Sequence, residues 1–144
     1  MISNEQAQEF AAGWIAAWNA HDIDAILSHY EDDFSLRSPF IAKMPGDPSG
    51  CLTGKKAIGA YWKKGLSLLP DLHFEVEKVL VGADSIAILY KGPMGVVAET
   101  FCIGHSGRAS SAMAHYAQGY PDRDGNKATD NPSNSPEGRG GNKQ

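Results

Sequence analysis

The run from Gly13 to Phe34, GWIAAWNAHDIDAILSHYEDDF, constrains this chain more than any other stretch of it. Phe10, Trp14 and Trp18 recur every four residues and form one apolar stripe of an amphipathic helix that ends near Asn19. Ser3 with Gln6 provides a capping box at its start. After a turn at His21 and Asp22, Asp22 can cap a second helix carrying Ile23, Ile26, Leu27 and Tyr30 on one face and ending near Tyr30. Glu31, Asp32 and Asp33 then make a sharp stop before a strand that starts at Phe34. Two aromatic-rich helices feeding a strand make half of a small cone, and the function is expected inside that cone.

The strand from Phe34 to Ser38 is short and closed by Pro39. Residues 40–53, with Pro45, Gly46, Pro48 and Gly50, read as a long loop covering the mouth of a pocket. Thr53 can cap a third helix that carries Ile58, Tyr61, Trp62, Leu66 and Leu69 and ends at Pro70. The rest alternates as strands, Leu72 to Val81, Ser85 to Lys91, Val96 to Ile103 and Arg108 to Tyr120, joined by glycine-containing turns. This order predicts an α+β fold: three N-terminal helices packed on a strongly curved, mostly antiparallel sheet, a cone with an internal pocket.

With 144 residues the chain holds one domain, expected over 1–120. From Pro121 to Gln144 there are three prolines, four glycines, four acidic and four basic residues, with Ala128 as the sole apolar side chain. That composition cannot bury enough surface to offset the entropy of ordering, so 121–144 reads as a disordered polar tail. A formal net charge of −4 offers no basic face for nucleic acid or an anionic membrane. The longest nearly apolar stretch, Phe10 to Trp18, is less than half a membrane span, and the N-terminus lacks the charged and apolar regions of a signal peptide. Cys51 and Cys102 form no CxxC pair and read as free thiols, so the expected location is cytoplasmic.

Glu99 is the residue whose setting points to chemistry. It lies between Val97 and Phe101 on its strand face, among Val96, Ala98 and Cys102. A lone carboxylate there is unfavourable to bury unless its pKa rises or a partner satisfies it, which is how an acid or base is tuned. The competing reading is a wet strand face, or a structural pairing with an arginine such as Arg37. The aromatics supply walls for an apolar cavity: Trp14, Tyr30, Trp62, Tyr90, Phe101 and Tyr116 are expected to line it, and Trp18 and Phe74 to fill solid core. The five histidines show no metal-ligand spacing, no serine sits in a GxSxG context, and the glycine-rich places are turns without phosphate-loop spacing, so no metal and no cofactor is expected.

The order of elements, with Trp14 to Trp18, His21-Asp22-Ile23, Tyr30 to Asp33, the Gly54 to Leu66 helix with Tyr61-Trp62, and Glu99-Thr100-Phe101 before the His105-Ser106-Gly107 hairpin, resembles the nuclear-transport-factor-two-like superfamily. Its SnoaL-like and ketosteroid-isomerase-like branches are the most similar. In ketosteroid isomerases a general-base aspartate precedes a proline at the end of the first strand, and the matching position here is Ser38. A tyrosine of the oxyanion hole matches Trp14, and the second, protonated aspartate of that hole matches Glu99. With the base and the phenol replaced, the resemblance does not imply steroid isomerisation by that mechanism. It implies a small hydrophobic ligand in an enclosed pocket, and cofactor-free acid–base isomerase, cyclase or dehydratase chemistry centred on Glu99, with Tyr30 or Tyr116 donating a hydrogen bond and Ser38 at the base position. The alternative is a non-catalytic binding or dimeric module that has lost the catalytic set. A homodimer through the outer sheet face is expected as well, because Ala87, Leu89, Ala98, Thr100, Cys102, Ser111, Met113 and His115 leave that face almost without charge.

Overall fold

The computed structural model describes residues 1–44 and 46–117. The expected tail, 121–144, and the expected end of the last strand, 118–120, lie outside the described residues. Helix α1 (Asn4–Asn19) begins at Ser3, whose hydroxyl accepts the Gln6 amide at 3.0 Å while the Gln6 side chain accepts the Ser3 amide at 2.8 Å. Its buried face carries Ala7, Phe10, Ala11, Trp14, Ala17 and Trp18, the stripe expected from the four-residue spacing. Gly13 interrupts this good helix sequence for a steric reason. A Cβ there would stand 2.8 Å from His29 Nε2, so the glycine lets the imidazole lie against the helix.

Asp22 caps α2 (Ile23–Leu27), its carboxylate accepting the Ala25 amide at 3.1 Å. This helix is shorter than expected, and β1 (Tyr30–Arg37) already starts at Tyr30. The acidic triplet Glu31 to Asp33 is therefore part of a strand and not a stop. Tyr30 pairs with Ala109, and the register shifts between Tyr30 and Ser35, so the triplet occupies an irregular stretch of the ladder that tolerates charge.

The expected loop 40–53 also contains structure: α3 (Pro39–Lys43) and β2 (Cys51–Thr53). Ser38 caps α3 by accepting the Phe40 amide at 3.2 Å, and Pro39 sits in the first turn, where its missing N–H is not needed. Thr53 ends β2 and does not cap the next helix, α4 (Lys55–Leu68). The cap position is Gly54, held at φ 89 and without a side-chain cap.

The remaining strands are β3 (Glu75–Val81), β4 (Ser85–Gly92), β5 (Gly95–Ile103) and β6 (Ala109–Tyr116). All six strands form one curved, unclosed sheet in the order β2-β1-β6-β5-β4-β3, antiparallel throughout except for the parallel pair β1 and β6. The C-terminal end of α1 is fastened to the approach to β3. The Asn19 side chain donates to the Phe74 carbonyl at 3.0 Å and accepts the Phe74 amide at 2.7 Å, and His21 Nε2 bonds the Leu72 carbonyl at 2.9 Å. Since that carbonyl only accepts, Nε2 carries the proton. The helices cover one sheet face, and the core between them holds Trp14, Tyr30, Phe34, Ile41, Ile58, Ile88 and Phe101 fully buried. Among the described residues, no helix is long and apolar enough to cross a membrane.

Candidate functional site

Cross-strand register sets the geometry of the interior. One row across three strands is Ile88–Glu99–Ala114, and the next is Tyr90–Val97–Tyr116. Glu99 is thus flanked on both diagonals by tyrosines, at the ~7–8 Å spacing that long side chains can bridge. Alternation turns Val97, Glu99 and Phe101 inward together, and the Glu99 side chain is buried. Tyr90 donates its hydroxyl to Glu99 Oε1 at 2.8 Å. Among the described residues the carboxyl has no other hydrogen-bond donor and no cation beside it. Arg37 is not its partner.

Burial pushes the Glu99 carboxyl up from its ordinary 4.5 to about 7, against the smaller opposing pull of the Tyr90 hydrogen bond. Near neutrality the group therefore holds either proton state at little free-energy difference, as a general acid or base requires. Burial likewise raises Tyr90 and Tyr116, with the charge of Glu99 adding to both, and pushes Tyr61 up to about 12. These phenols stay protonated across the physiological range.

Glu99 and Tyr90 border a cavity of about 600 Å³ between the sheet, α3 and α4. Trp18, Leu36, Trp62, Leu66, Leu69, Leu72, Phe74 and Val97 make its wall largely apolar, and exposed Lys43, Leu68 and Pro93 form its rim. The polar side chains around it are few: Glu99 with Tyr90, and the hydroxyls of Ser38, Tyr61 and Tyr116. Phe40 packs edge-on against Tyr116, ring centroids 5.0 Å apart. The Trp18 indole N–H is the one buried side-chain polar atom without a hydrogen-bond partner among the described residues.

Of the expected site residues, Ser38, Trp62, Tyr90, Glu99 and Tyr116 meet at this cavity. Trp14, Tyr30 and Phe101 do not line it. Trp14 Nε1 donates to Tyr30 Oη at 2.8 Å, Tyr30 stacks on Phe34 at 4.2 Å, and Phe101 packs edge-on against Trp14 at 5.3 Å, so the three belong to solid core. Trp18 and Phe74, expected as core, are instead cavity wall. The residue that sequence reasoning undervalued is Tyr61. Its spacing from Ile58 and Leu66 already placed it on the inward face of α4, but nothing local shows that it lines the same cavity as Ser38 and Tyr116. No group of three or more His, Cys, Asp or Glu side chains among the described residues could hold a metal ion.

The SnoaL-like domain family matches residues 11–125 of the sequence. The chain belongs to that family. A SnoaL-like protein of unknown function from Burkholderia thailandensis is 51% identical, covers 81% of this chain and 99% of its own, and superposes with a TM-score of 0.78. At the level of fold alone, the SnoaL-like chain is similar to a nuclear-transport-factor-two-like protein from Cytophaga hutchinsonii, 14% identical over 81% of this chain and 91% of that one, TM-score 0.58. It is also similar to TerC co-crystallised with polyporic acid, 14% identical over 77% and 91%, TM-score 0.65. No curated protein matches.

Proposed function

We propose that this SnoaL-like chain binds a small hydrophobic molecule in the 600 Å³ cavity and uses Glu99 as its acid–base group. One observation carries the reading: a buried carboxyl, whose one hydrogen-bond donor among the described residues is Tyr90, borders an apolar cavity, and burial raises its pKa to about 7. A structural carboxylate has no need of that setting, which makes its charged form unfavourable. The chemistry it suits is proton transfer at carbon next to a carbonyl, as in isomerisation, cyclisation or dehydration. Ser38, at the base position of the isomerases, is an alcohol engaged as a helix cap, so the proton acceptor in this proposal is Glu99. The co-crystallisation of a fold relative, TerC, with polyporic acid is consistent with organic ligands in such a fold.

The same proposal pairs two chains through the outer sheet face and sets the protein in the reducing cytoplasm, a location supported by the free thiols of Cys51 and Cys102.

The test is exchange of the α-protons of 2-tetralone for deuterium in D2O, followed by NMR. The wild-type chain should accelerate exchange, and Glu99→Gln should abolish the acceleration while still binding the ketone. Binding without accelerated exchange in the wild type would favour the non-catalytic alternative.

A further inference from the structure

We propose that the cavity takes hydrophobic amines in their protonated form, the ammonium seated on the open oxygen of Glu99 and the hydrocarbon laid along an aromatic wall that runs up to it. This goes beyond the acid–base reading. It rests on the cavity as a ligand site and not on catalysis, and it gives that site a second class of ligand, which competes with a ketone for the same carboxyl.

Glu99 has two oxygens and one protein donor. Oε1 accepts the Tyr90 hydroxyl at 2.8 Å, and Oε2 has no hydrogen-bond partner among the described residues. Yet protein does not wall Oε2 in. The one side-chain polar atom among the described residues that is both shut off and unpartnered is Trp18 Nε1. Oε2 therefore reaches open space, and the space that Glu99 lines is the cavity. The residue as a whole is 6% exposed, so the opening is small. No ion pair among the described residues includes Glu99, so its ionised form lacks a counter-ion in a setting that disfavours charge.

The aromatic wall is continuous. Trp62 meets Trp18 at 5.2 Å between ring centroids, Trp18 meets Phe74 at 5.5 Å, and Phe74 meets Tyr90 at 4.5 Å. All four line the cavity, from α4, α1, the approach to β3 and β4 in turn. Aromatic π-systems attract a desolvated cation, so an ammonium moving along this wall regains part of the hydration it gives up. A buried ion pair is usually penalised by the desolvation of both partners. Here the fold has already taken the carboxylate out of water, and only the ammonium loses its hydration on entry. No charge on the facing elements competes. Burial raises Tyr90 on β4, Tyr116 on β6, Tyr61 on α4 and Tyr30 on β1, with the Glu99 charge adding, so all four stay neutral near pH 7. Lys43 of α3 stands exposed on the rim, and burial and Tyr90 act on the Glu99 pKa without any pull from a cation.

The experiment titrates the full chain with 2-aminotetralin and with tetralin, its uncharged hydrocarbon counterpart, by ligand-observed NMR at pH 6 and pH 8. An alkylammonium keeps its proton at both, with a pKa near the ~10.4 of lysine. At pH 8 the wild type should prefer the amine by about tenfold or more, the worth of one hydrogen bond to a charged group. The preference should shrink by about tenfold at pH 6, because Glu99, with its pKa of about 7, must then release a proton to pair with the ammonium. Glu99→Gln keeps an acceptor for Tyr90 but carries no charge, and it should bring the ratio to about one or below at both pH values with tetralin still bound. Equal binding of amine and hydrocarbon by the wild type at pH 8 overturns the proposal and leaves the apolar cavity standing. An amine preference that survives Glu99→Gln overturns it too, since the net charge of −4 would then account for the attraction. If the variant does not fold, the wild-type pH series decides, because a preference equal at pH 6 and pH 8 puts the ammonium somewhere other than Glu99. Binding of neither probe overturns the proposal together with the ligand-binding reading.

Discussion

Two buried hydrogen bonds of equal length, Trp14 Nε1 to Tyr30 Oη and Tyr90 Oη to Glu99 Oε1, both 2.8 Å, stand on neighbouring parts of the interior. The first lies in close-packed core. Trp14 contacts Trp18, Phe74, Tyr90 and Phe101 ring to ring, and Tyr30 is stacked on Phe34. Each partner is neutral, and burial with the nearby Glu99 charge keeps the Tyr30 phenol protonated. The second borders the cavity of about 600 Å³, and one of its partners can change charge. A buried polar pair closed off by rings is a device for satisfying a donor. A pair with a titratable member on a cavity can act on whatever enters.

The largest effect that tests this contrast is the loss of a packed ring. Trp14→Ala should destabilise the fold by about 3–5 kcal/mol in denaturant unfolding, because its site is surrounded by rigid aromatics that cannot collapse into the void. Leu69→Ala, already on the edge of a cavity, should lie well below that range. Equal losses at the two sites would mean that the two regions are packed alike.

Glu99 comes next. Its folded pKa of about 7 lies above the ordinary 4.5 of the unfolded chain. Between these values the folded state keeps a proton that the unfolded chain has released. Stability therefore falls as pH rises through that window and levels off above about 7, by roughly 3 kcal/mol in all. Glu99→Gln has no proton to release. Its unfolding free energy should fall less than that of the wild type between pH 5 and 8, so that the variant is the more stable protein at pH 8. Parallel pH profiles for the two would remove Glu99 as a group with a raised pKa.

The two tyrosine hydroxyls should then separate. Tyr30→Phe leaves the Trp14 N–H without an acceptor in dry core, which destabilises by about 1–3 kcal/mol at every pH. Tyr90→Phe removes the one donor to Glu99 among the described residues, so its main effect should be a further rise of the carboxyl pKa, seen by carbon-detected NMR titration. A pH-independent loss of the same size at both positions would contradict the contrast.

Much of this architecture is legible in the chain, and what is not has a physical reason. The α1 stripe, the Ser3 and Asp22 caps and the inward alternation of Glu99 are local patterns, and all three hold in the structure. The five-residue α3 and three-residue β2 are shorter than any periodic window, so 40–53 reads as loop. Trp14 and Trp18 share one helix face, and periodicity says only that both point inward. Whether a ring meets another ring or a void depends on where α3 and α4 stand relative to the sheet, which no local spacing encodes. That Ser38, Tyr61 and Tyr116 line one cavity is hidden for the same reason, since they are 23 and 55 residues apart along the chain.

The outer face of the same sheet sharpens the contrast from the other side, with the smallest effect on folding. Register sets Leu80, Ala87, Thr100, Met113, Arg37 and Cys51 in one row across the six strands, in which Leu80 and Met113 are 50% and 42% exposed. The adjoining row, Lys78, Leu89, Ala98 and His115, adds one lysine at the sheet edge. Self-pairing about a twofold axis would bury such a patch from both chains at once. Met113→Glu should change the stability of the isolated chain by no more than about 0.5 kcal/mol, as expected of an exposed site. In the proposed dimer it sets two carboxylates into a mostly apolar contact, each beside the Arg37 of its own sheet, and their desolvation should split the pair. Light scattering in dilute solution should give about twice the 15.4 kDa chain mass for the wild type and the single-chain mass for the variant. A wild-type mass at the single-chain value would end the dimer, and the outer face would then be solvated although few of its side chains are charged.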